Sequence, residues 1–149
     1  MGVRMTDEEI ETFLAAGYTG ILATVRKDGS PAMVPLWYVV ADESVFVRTP
    51  AASAKAKHVK ADPRVSFMVE SGVAWAELRA VILHGKAVAE EDPVVIAAVD
   101  AAFDLKYADY KMPESTPDAT RRHYAAERVR LRIVPERKTL TWDNSKLLR

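Results

Sequence analysis

The segment 53–65, which reads SAKAKHVKADPRV, concentrates three lysines and a histidine in a chain whose charges otherwise cancel. Ser53 is suited to cap a short helix, and the helix must end before Pro63 because proline disfavours helix in the preceding residue. Lysines two positions apart do not share a helix face. In the first turn, however, Lys55 and Lys57 can both point toward the helix N-terminus, where unpaired backbone N–H groups favour an anion. This arrangement indicates a site for a phosphate group.

The alternative is a lysine-rich helix whose side chains simply face water. Lysine near the start of a helix, however, interacts unfavourably with the helix dipole unless an anion compensates. Two charge-assisted contacts of about 1.5 to 3 kcal/mol each would supply roughly two to four decades of affinity for a phosphorylated ligand. Both readings remain open on these residues alone.

Other catalytic chemistry has no visible basis in the sequence. His58, His84 and His123 show no metal-ligand spacing, and the chain contains no cysteine. No GxSxG motif is present, and the carboxylates fall in turns and helix caps, where a structural role explains them. We therefore predict no metal, we assign no catalytic residue, and any enzymatic chemistry would depend on a bound cofactor.

Length and charge restrict the class of protein. The 149 residues fit a single domain spanning 1–149, and 21 basic residues balance 21 acidic ones, which argues against a nucleic-acid partner. The longest apolar run, residues 32–41, is about half of the roughly 20 residues that a membrane-spanning helix needs. The sequence lacks a signal-peptide pattern, so a cytoplasmic protein with a small-molecule partner and no membrane association is expected.

The secondary-structure elements that would position the lysines are mostly strands. Thr6 and Glu9 form a capping box for a first helix, and Asp92 followed by Pro93 begins another. A further short helix is predicted around residues 121–124, after a loop over residues 110–118. Strands are predicted over residues 19–26, 31–40, 45–49, 65–69, 80–89, 129–134 and 138–142. Strands in hairpin order and the absence of a GxGxxG turn predict a mainly β (α+β) fold, an antiparallel barrel with short helices rather than a doubly wound sheet.

Several of these segments also carry a family resemblance. GILATVRKDGSP (20–31), VPLWY (34–38), RT (48–49), SAKAK (53–57), DPRVS (62–66) and TWD (141–143) with Lys146 resemble the pyridoxamine 5'-phosphate oxidase-like FMN-binding split β-barrel family. The chain is most similar to its actinobacterial branch of flavin- and deazaflavin (F-420)-dependent oxidoreductases. The resemblance implies a six- to seven-stranded split barrel and a homodimer that holds the cofactor ring between its subunits.

The resemblance also implies a cofactor site. The strand that matches Met33, Val34, Pro35, Leu36 and Trp37 would line the ring and ribityl chain, Arg48 and Thr49 would continue the wall, and Ser53, Lys55 and Lys57 would hold the cofactor phosphate. Core packing is the alternative reading of Trp37, and Trp142 is a candidate contributor from the partner subunit.

Two departures from the family pattern affect the function. Ala54 stands where the oxidases carry the arginine of an Arg-Lys pair, and residues 142–149 lack their arginine-bearing substrate signature, so oxidation of pyridoxamine phosphate is not expected. The resemblance then implies an oxidoreductase that uses F-420 to transfer a hydride to an unsaturated organic substrate. The alternatives are an FMN-dependent oxidoreductase of the same fold and a non-catalytic protein that binds a flavin, a deazaflavin or haem. Tyr38 and Tyr107 are candidate proton donors by residue type only, and solvent could also serve.

Overall fold

Six antiparallel strands close into a barrel in the computed structural model, which describes residues 2–148. Pairing runs β1–β2–β3–β6–β5–β4, and β4 returns to β1, which closes the barrel and confirms the predicted architecture. A seventh strand, β7, pairs only with β5. The strands are β1 (Thr19–Val25), β2 (Pro31–Ala41), β3 (Ser44–Pro50), β4 (Arg64–Ser71), β5 (Arg79–Ala89), β6 (Arg128–Pro135) and β7 (Leu140–Asp143).

The chain also contains four α-helices, of which the first three begin at capping residues that the sequence predicts and the fourth begins without a side-chain cap. They are α1 (Asp7–Ala16), α2 (Ala54–Ala61), α3 (Pro93–Lys106) and α4 (Asp118–Ala125). The capping box of α1 is formed: the Glu9 backbone N–H donates to Thr6 Oγ1 at 3.2 Å, and the Thr6 N–H donates to Glu9 Oε2 at 2.7 Å. At the start of α3, Asp92 Oδ1 accepts from the Val94 N–H at 2.9 Å. Within residues 2–148 no helix is both long enough and apolar enough to span a membrane.

The core has two parts, because β2 and β3 are covered on both faces near their junction. Alternate residues such as Leu22, Phe67 and Val81 fill the barrel interior. On the outside of β2 and β3, Val39 and Phe46 pack against buried residues of α3 and the position that follows it, including Val99, Phe103 and Tyr107. Helix α3 is therefore fixed to the outside of the barrel, where it forms one side of the cavity described below.

The last strand is shorter than the prediction. Residues 138–142 were expected to form it, whereas β7 comprises Leu140–Asp143 and opposes only residues 79–82 of β5. Beyond this point β5 changes its partner on that side from β7 to β6, which pairs with residues 85–89. Residues 138 and 139 therefore have no partner strand, and the ladder begins two residues late.

Gly85 lies where β5 changes partner, and we predict that its substitution is costly. A Cβ there would lie 1.9 Å from the Val134 carbonyl oxygen and 2.8 Å from the Glu136 nitrogen, both of which are backbone atoms. Because backbone cannot rotate away as a side chain can, Gly85→Ala should lower the free energy of unfolding by about 3 kcal/mol in denaturant titrations.

Gly2→Ala is the matched control, since its Cβ would meet only the Arg4 nitrogen at 3.8 Å. A loss below about 1 kcal/mol at Gly85 would show that the β5–β6 contact can open to admit a methyl group.

Candidate functional site

A cavity of about 550 Å³ lies between the barrel and the helical insertions. Its barrel side is formed by residues 34–37 of β2 and 48–50 of β3, together with Lys55 at the start of α2. Phe103, residues 110–113, Tyr124 and Arg128 complete the lining. This size falls within the range of small-molecule sites in proteins.

A smaller chamber of about 320 Å³ adjoins it and shares two lining residues, Val34 and Lys55. His58 lines this chamber, with its Nδ1 atom 2.9 Å from the hydroxyl of buried Thr24. The remaining lining residues are Thr24, Arg26, Ala32, Met33 and Ala54. Lys55 thus stands at the boundary between two spaces.

Most of the residues that the sequence assigns to a cofactor site lie together. Seven line the larger cavity (Val34, Pro35, Leu36, Trp37, Arg48, Thr49 and Lys55), and Met33 lines the chamber. Ser53 lines neither space; its Oγ caps α2 by accepting from the Ala56 N–H at 3.2 Å and also accepts from Thr49 Oγ1 at 3.0 Å. Lys57 is exposed and lies outside both linings.

The charge on the cavity wall is one-sided. Arg48, Lys55, Lys111 and Arg128 all line it, and none of its lining residues, all within the described range, is acidic. Burial lowers the pKa of the Lys55 ammonium, because its charged form has lost part of its hydration. Within residues 2–148 Lys55 has no ion pair or side-chain hydrogen bond. An anion in the cavity would stabilise this charged form.

Arg48 differs from Lys55 because its guanidinium already has an acidic partner. Its Nη1 atom lies 3.1 Å from Asp100 Oδ1 on α3, and its guanidinium lies 4.5 Å from the centre of the Phe103 ring. Arg130 contacts the same carboxylate at 2.6 Å. Burial is the largest single effect and raises the pKa of Asp100, but the hydrogen bonds and charges of Arg130 and Arg48 together outweigh it and hold the pKa below its usual value. Arg48 therefore joins α3 to β3 and contributes shape to the wall more than free charge.

Trp37 is held in place by an aromatic stack. Its indole lies parallel to the Tyr107 ring, with centroids 4.2 Å apart, and the side chain keeps 40% of its surface exposed. The Tyr107 hydroxyl accepts from the Tyr38 N–H at 3.0 Å and directs its proton to the carbonyls of Tyr18 or Tyr38. The indole therefore forms a fixed, partly exposed wall of the cavity.

Neither tyrosine that the sequence suggests by type is placed as a proton donor. The Tyr38 hydroxyl donates to the Leu14 carbonyl, and both Tyr38 and Tyr107 lie outside the cavity lining. Burial raises the pKa of Tyr107 to about 12 and raises that of Tyr38 as well. The tyrosines that do line the cavity are Tyr110 and Tyr124.

Sequence reasoning missed the part of the lining contributed by α3 and by the residues that follow it. Phe103, Tyr110, Met112, Tyr124 and Arg128 carry no motif, and their placement depends on how residues 103–128 fold over the barrel. One available signal was the alternation of arginines at 128, 130 and 132, which places three guanidinium groups on one face of a strand. The alternation does not indicate which of them meet a carboxylate.

Neither a second cavity nor a cluster of potential metal ligands offers a better candidate site among the described residues. Another cavity, of about 760 Å³ near α1 and the β2–β3 turn, is lined by Glu11, Glu43, Ser44 and apolar residues and has no basic lining residue. Across residues 2–148 no group of three or more potential metal ligands is found. The 760 Å³ cavity therefore lacks the positive charge that lines the 550 Å³ cavity.

Comparisons with known proteins agree with this fold. Residues 6–138 match the family described as pyridoxamine 5'-phosphate oxidase. A crystal structure of a conserved hypothetical protein, Rv2991 from Mycobacterium tuberculosis, is 35% identical, with a TM-score of 0.83 over 99% of this chain and 90% of that one. An FAD-binding protein from Mesorhizobium loti shares 23% identity (TM-score 0.65; 89% and 90% of the two chains). The haem storage protein HutZ from Vibrio cholerae shares 17% (TM-score 0.67; 95% and 99%). Among curated proteins no match was found.

Lys106, at the end of α3, provides a test of the packing behind Trp37. Its Nζ donates to the Tyr38 carbonyl at 3.1 Å and lies 4.0 Å from the centre of the Tyr38 ring. Burial lowers its pKa from 10.5 to about 8. The unfolded chain therefore binds more protons than the folded one between these pH values, and the free energy of unfolding should rise with pH across that window.

The measurement is the difference in unfolding free energy between the wild type and Lys106→Met, followed from pH 8 to pH 10. We expect the difference to move in favour of the wild type as the pH rises. For the control Lys60→Met, which replaces an exposed lysine, the difference in unfolding free energy should not change with pH. A flat profile for Lys106→Met would mean that its ammonium is fully hydrated.

Proposed function

The chain belongs to the pyridoxamine 5'-phosphate oxidase family, and from this premise we propose that it is an oxidoreductase that uses coenzyme F-420 to transfer a hydride to an unsaturated organic substrate. The observation that carries the proposal is the cavity without acidic lining residues, at whose boundary with the smaller chamber Lys55 has no counter-ion among the described residues. A phosphorylated cofactor with a flat ring supplies the anion and the apolar surface that such a wall accommodates.

The residues present fit such a cofactor. Lys55 would bind the phosphate from the boundary between the two spaces, and Ser53 would support it indirectly by fixing the start of α2. Residues 33–37, with Trp37 held by its stack on Tyr107, would form the wall beside the ring. Lys57 would contribute at longer range, since its side chain is exposed.

The cofactor, when bound, supplies the hydride chemistry. The chain positions the reactants and excludes water with the apolar wall that includes Trp37, Phe103 and Met112. Any proton that the substrate takes up would come from Tyr110 Oη, from Tyr124 Oη or from solvent. The Tyr38 and Tyr107 hydroxyls would not supply it, because each donates a hydrogen bond to a backbone carbonyl.

Ala54 supports F-420 over FMN. It lines the smaller chamber, at the position where the oxidases carry an arginine on the FMN phosphate. The chamber wall is consequently shorter and carries one charge fewer. An FMN-dependent oxidoreductase of the same fold remains the second candidate, favoured by the intact Lys55 position.

We propose further that the protein is a homodimer. Along the outer face of the barrel, neighbouring strands place Pro35, Ile21, Met68, Ile82 and Leu140 directly opposite one another in an apolar row. Exposed Met33 and Trp142 extend this row. A second copy would remove this surface from water and would bring Trp142 near the partner's cofactor wall.

Titration with F-420 and with FMN, followed by tryptophan fluorescence, tests the proposal because Trp37 lies in the cavity wall. We expect tighter binding of F-420, and consumption of the reduced cofactor in the presence of enones or quinones. Tighter binding of FMN would favour the second candidate. Binding without consumption across the panel would identify a non-catalytic carrier.

Lys55→Ala should raise the cofactor dissociation constant at least about tenfold, because one charge-assisted contact is lost. The melting temperature of the cofactor-free protein should stay nearly unchanged, since the Lys55 ammonium contacts no acidic group within residues 2–148. Lys57→Ala should weaken binding less, and Lys60→Ala, an exposed lysine of the same helix, should have no effect. A large drop in the melting temperature of Lys55→Ala would instead assign that lysine a structural role.

Met68→Glu tests the dimer. A carboxylate in the centre of the apolar row would be desolvated by a second copy, so the variant should elute as a monomer while its circular dichroism is unchanged. Ala101→Glu makes the same kind of change at an exposed position of α3 and should leave the oligomeric state alone. Equal light-scattering masses for the wild type and Met68→Glu would exclude this face as the interface.

A further inference from the structure

Arg128 contributes a second positive group to the cavity, separate from Lys55. It is the first residue of β6 and lies directly opposite Pro50, the last residue of β3. Arg128 lines the 550 Å³ cavity but not the smaller chamber, whereas Lys55 lines both. Arg128 therefore marks a different part of the cavity wall from the proposed phosphate position.

Arg48 and Arg130, which lie next to Arg128 on this face, both bind the Asp100 carboxylate. Asp100 Oδ1 accepts from Arg48 Nη1 at 3.1 Å and from Arg130 Nε at 3.0 Å, and its Oδ2 accepts from Arg130 Nη2 at 2.6 Å. Both carboxylate oxygens are thus engaged. Within the described residues, the Arg128 guanidinium has no hydrogen bond and no ion pair, although it is partly buried.

The surroundings of Arg128 are consequently electropositive. Burial, followed by the charges of Arg48 and Arg130, lowers the pKa of Arg128, and the opposing effects of Asp100 and Asp104 are smaller. A partly buried guanidinium without a counter-ion is unfavourable, and a ligand anion would relieve that cost. The planar fork of donors on arginine matches a carboxylate or a phosphate in two-point contact.

The rest of the wall indicates what the anion is attached to. Trp37, Phe103 and Met112 provide apolar surface in the same cavity, and Tyr124 provides a hydroxyl. Lys111 adds a further positive charge. A compound with a conjugated or apolar body and one acidic group would satisfy both kinds of surface.

We propose that the 550 Å³ cavity binds an organic anion whose carboxylate or phosphate pairs with the Arg128 guanidinium. This group is distinct from the one at Lys55. It belongs either to the substrate or to a second acidic group of the cofactor. The proposal adds to the proposed function the chemical class of a second ligand group, and its central measurement needs no cofactor.

The probes are cinnamate and cinnamamide, which share shape and conjugation and differ in charge. Their dissociation constants are measured by calorimetry for the wild type, Arg128→Gln, Arg128→Lys and Arg137→Gln, an exposed arginine outside the cavity lining. Each protein is titrated first without cofactor and then saturated with F-420 or FMN.

We expect the cofactor-free wild type to bind cinnamate at least about tenfold more tightly than cinnamamide. Arg128→Gln should reduce that ratio to near unity, Arg128→Lys should retain part of it, and Arg137→Gln should retain all of it. If the protein still binds cinnamate more tightly than cinnamamide when cofactor is bound, the anion belongs to the substrate. If bound cofactor abolishes the selectivity and Arg128→Gln weakens cofactor binding, the anion is the cofactor's own.

The proposal is overturned if the wild type does not distinguish the two probes, or if Arg128→Gln preserves the distinction. It is also overturned if Arg128→Gln weakens dimerisation and changes no ligand affinity, because the counter-ion would then come from a second copy. Failure of F-420 and FMN to bind, with cinnamate selectivity intact, would remove the proposed redox function and leave the Arg128 site standing.

Discussion

The hydrogen bonds of the Tyr107 hydroxyl with the backbone hold the two sides of the cavity together. Strand β1 begins at Thr19, so the β1–β2 ladder ends at Trp37 and the next residue, Tyr38, has no strand partner on that side. The Tyr107 hydroxyl takes the place of the missing strand: it accepts from the Tyr38 N–H and donates to a carbonyl of Tyr18 or Tyr38. Because Tyr107 directly follows α3, this contact sets the position of the helix and of the Trp37 indole together.

Charge distribution adds a second constraint. The chain as a whole is neutral, with 21 basic and 21 acidic residues, yet the cavity wall is positive because no carboxylate lines it. Asp100 approaches the arginines from α3 and forms ion pairs with Arg48 and Arg130, which ties the helix to β3 and β6. Lys55 and Arg128 remain uncompensated. Helix attachment and ligand attraction therefore use neighbouring groups of the same basic cluster.

The sequence predicts the elements whose signals are local. Thr6, Ser53 and Asp92 begin their helices where capping rules place them, and the Asp28-Gly29 turn joins the predicted pair of strands. Most of the barrel side of the cavity was also anticipated, because the motifs at residues 34–38, 48–49 and 53–57 resemble cofactor-binding segments of the family. The remaining wall was not, because it depends on contacts distant in sequence, such as Lys106 with the Tyr38 carbonyl. Alternating arginines in β6 mark a face, whereas only the folded chain shows which of them Asp100 reaches.

The two sides of the cavity differ in how firmly they are attached to the core. The inner side belongs to a closed barrel and to α3, whose attachment involves buried Phe103 and Tyr107. The outer side comes from residues 110–113 and Tyr124, which are exposed and contribute little to the core. Substitutions there can change which molecules enter without disturbing folding. Such a division allows one scaffold to acquire new substrate preferences through its least constrained segment.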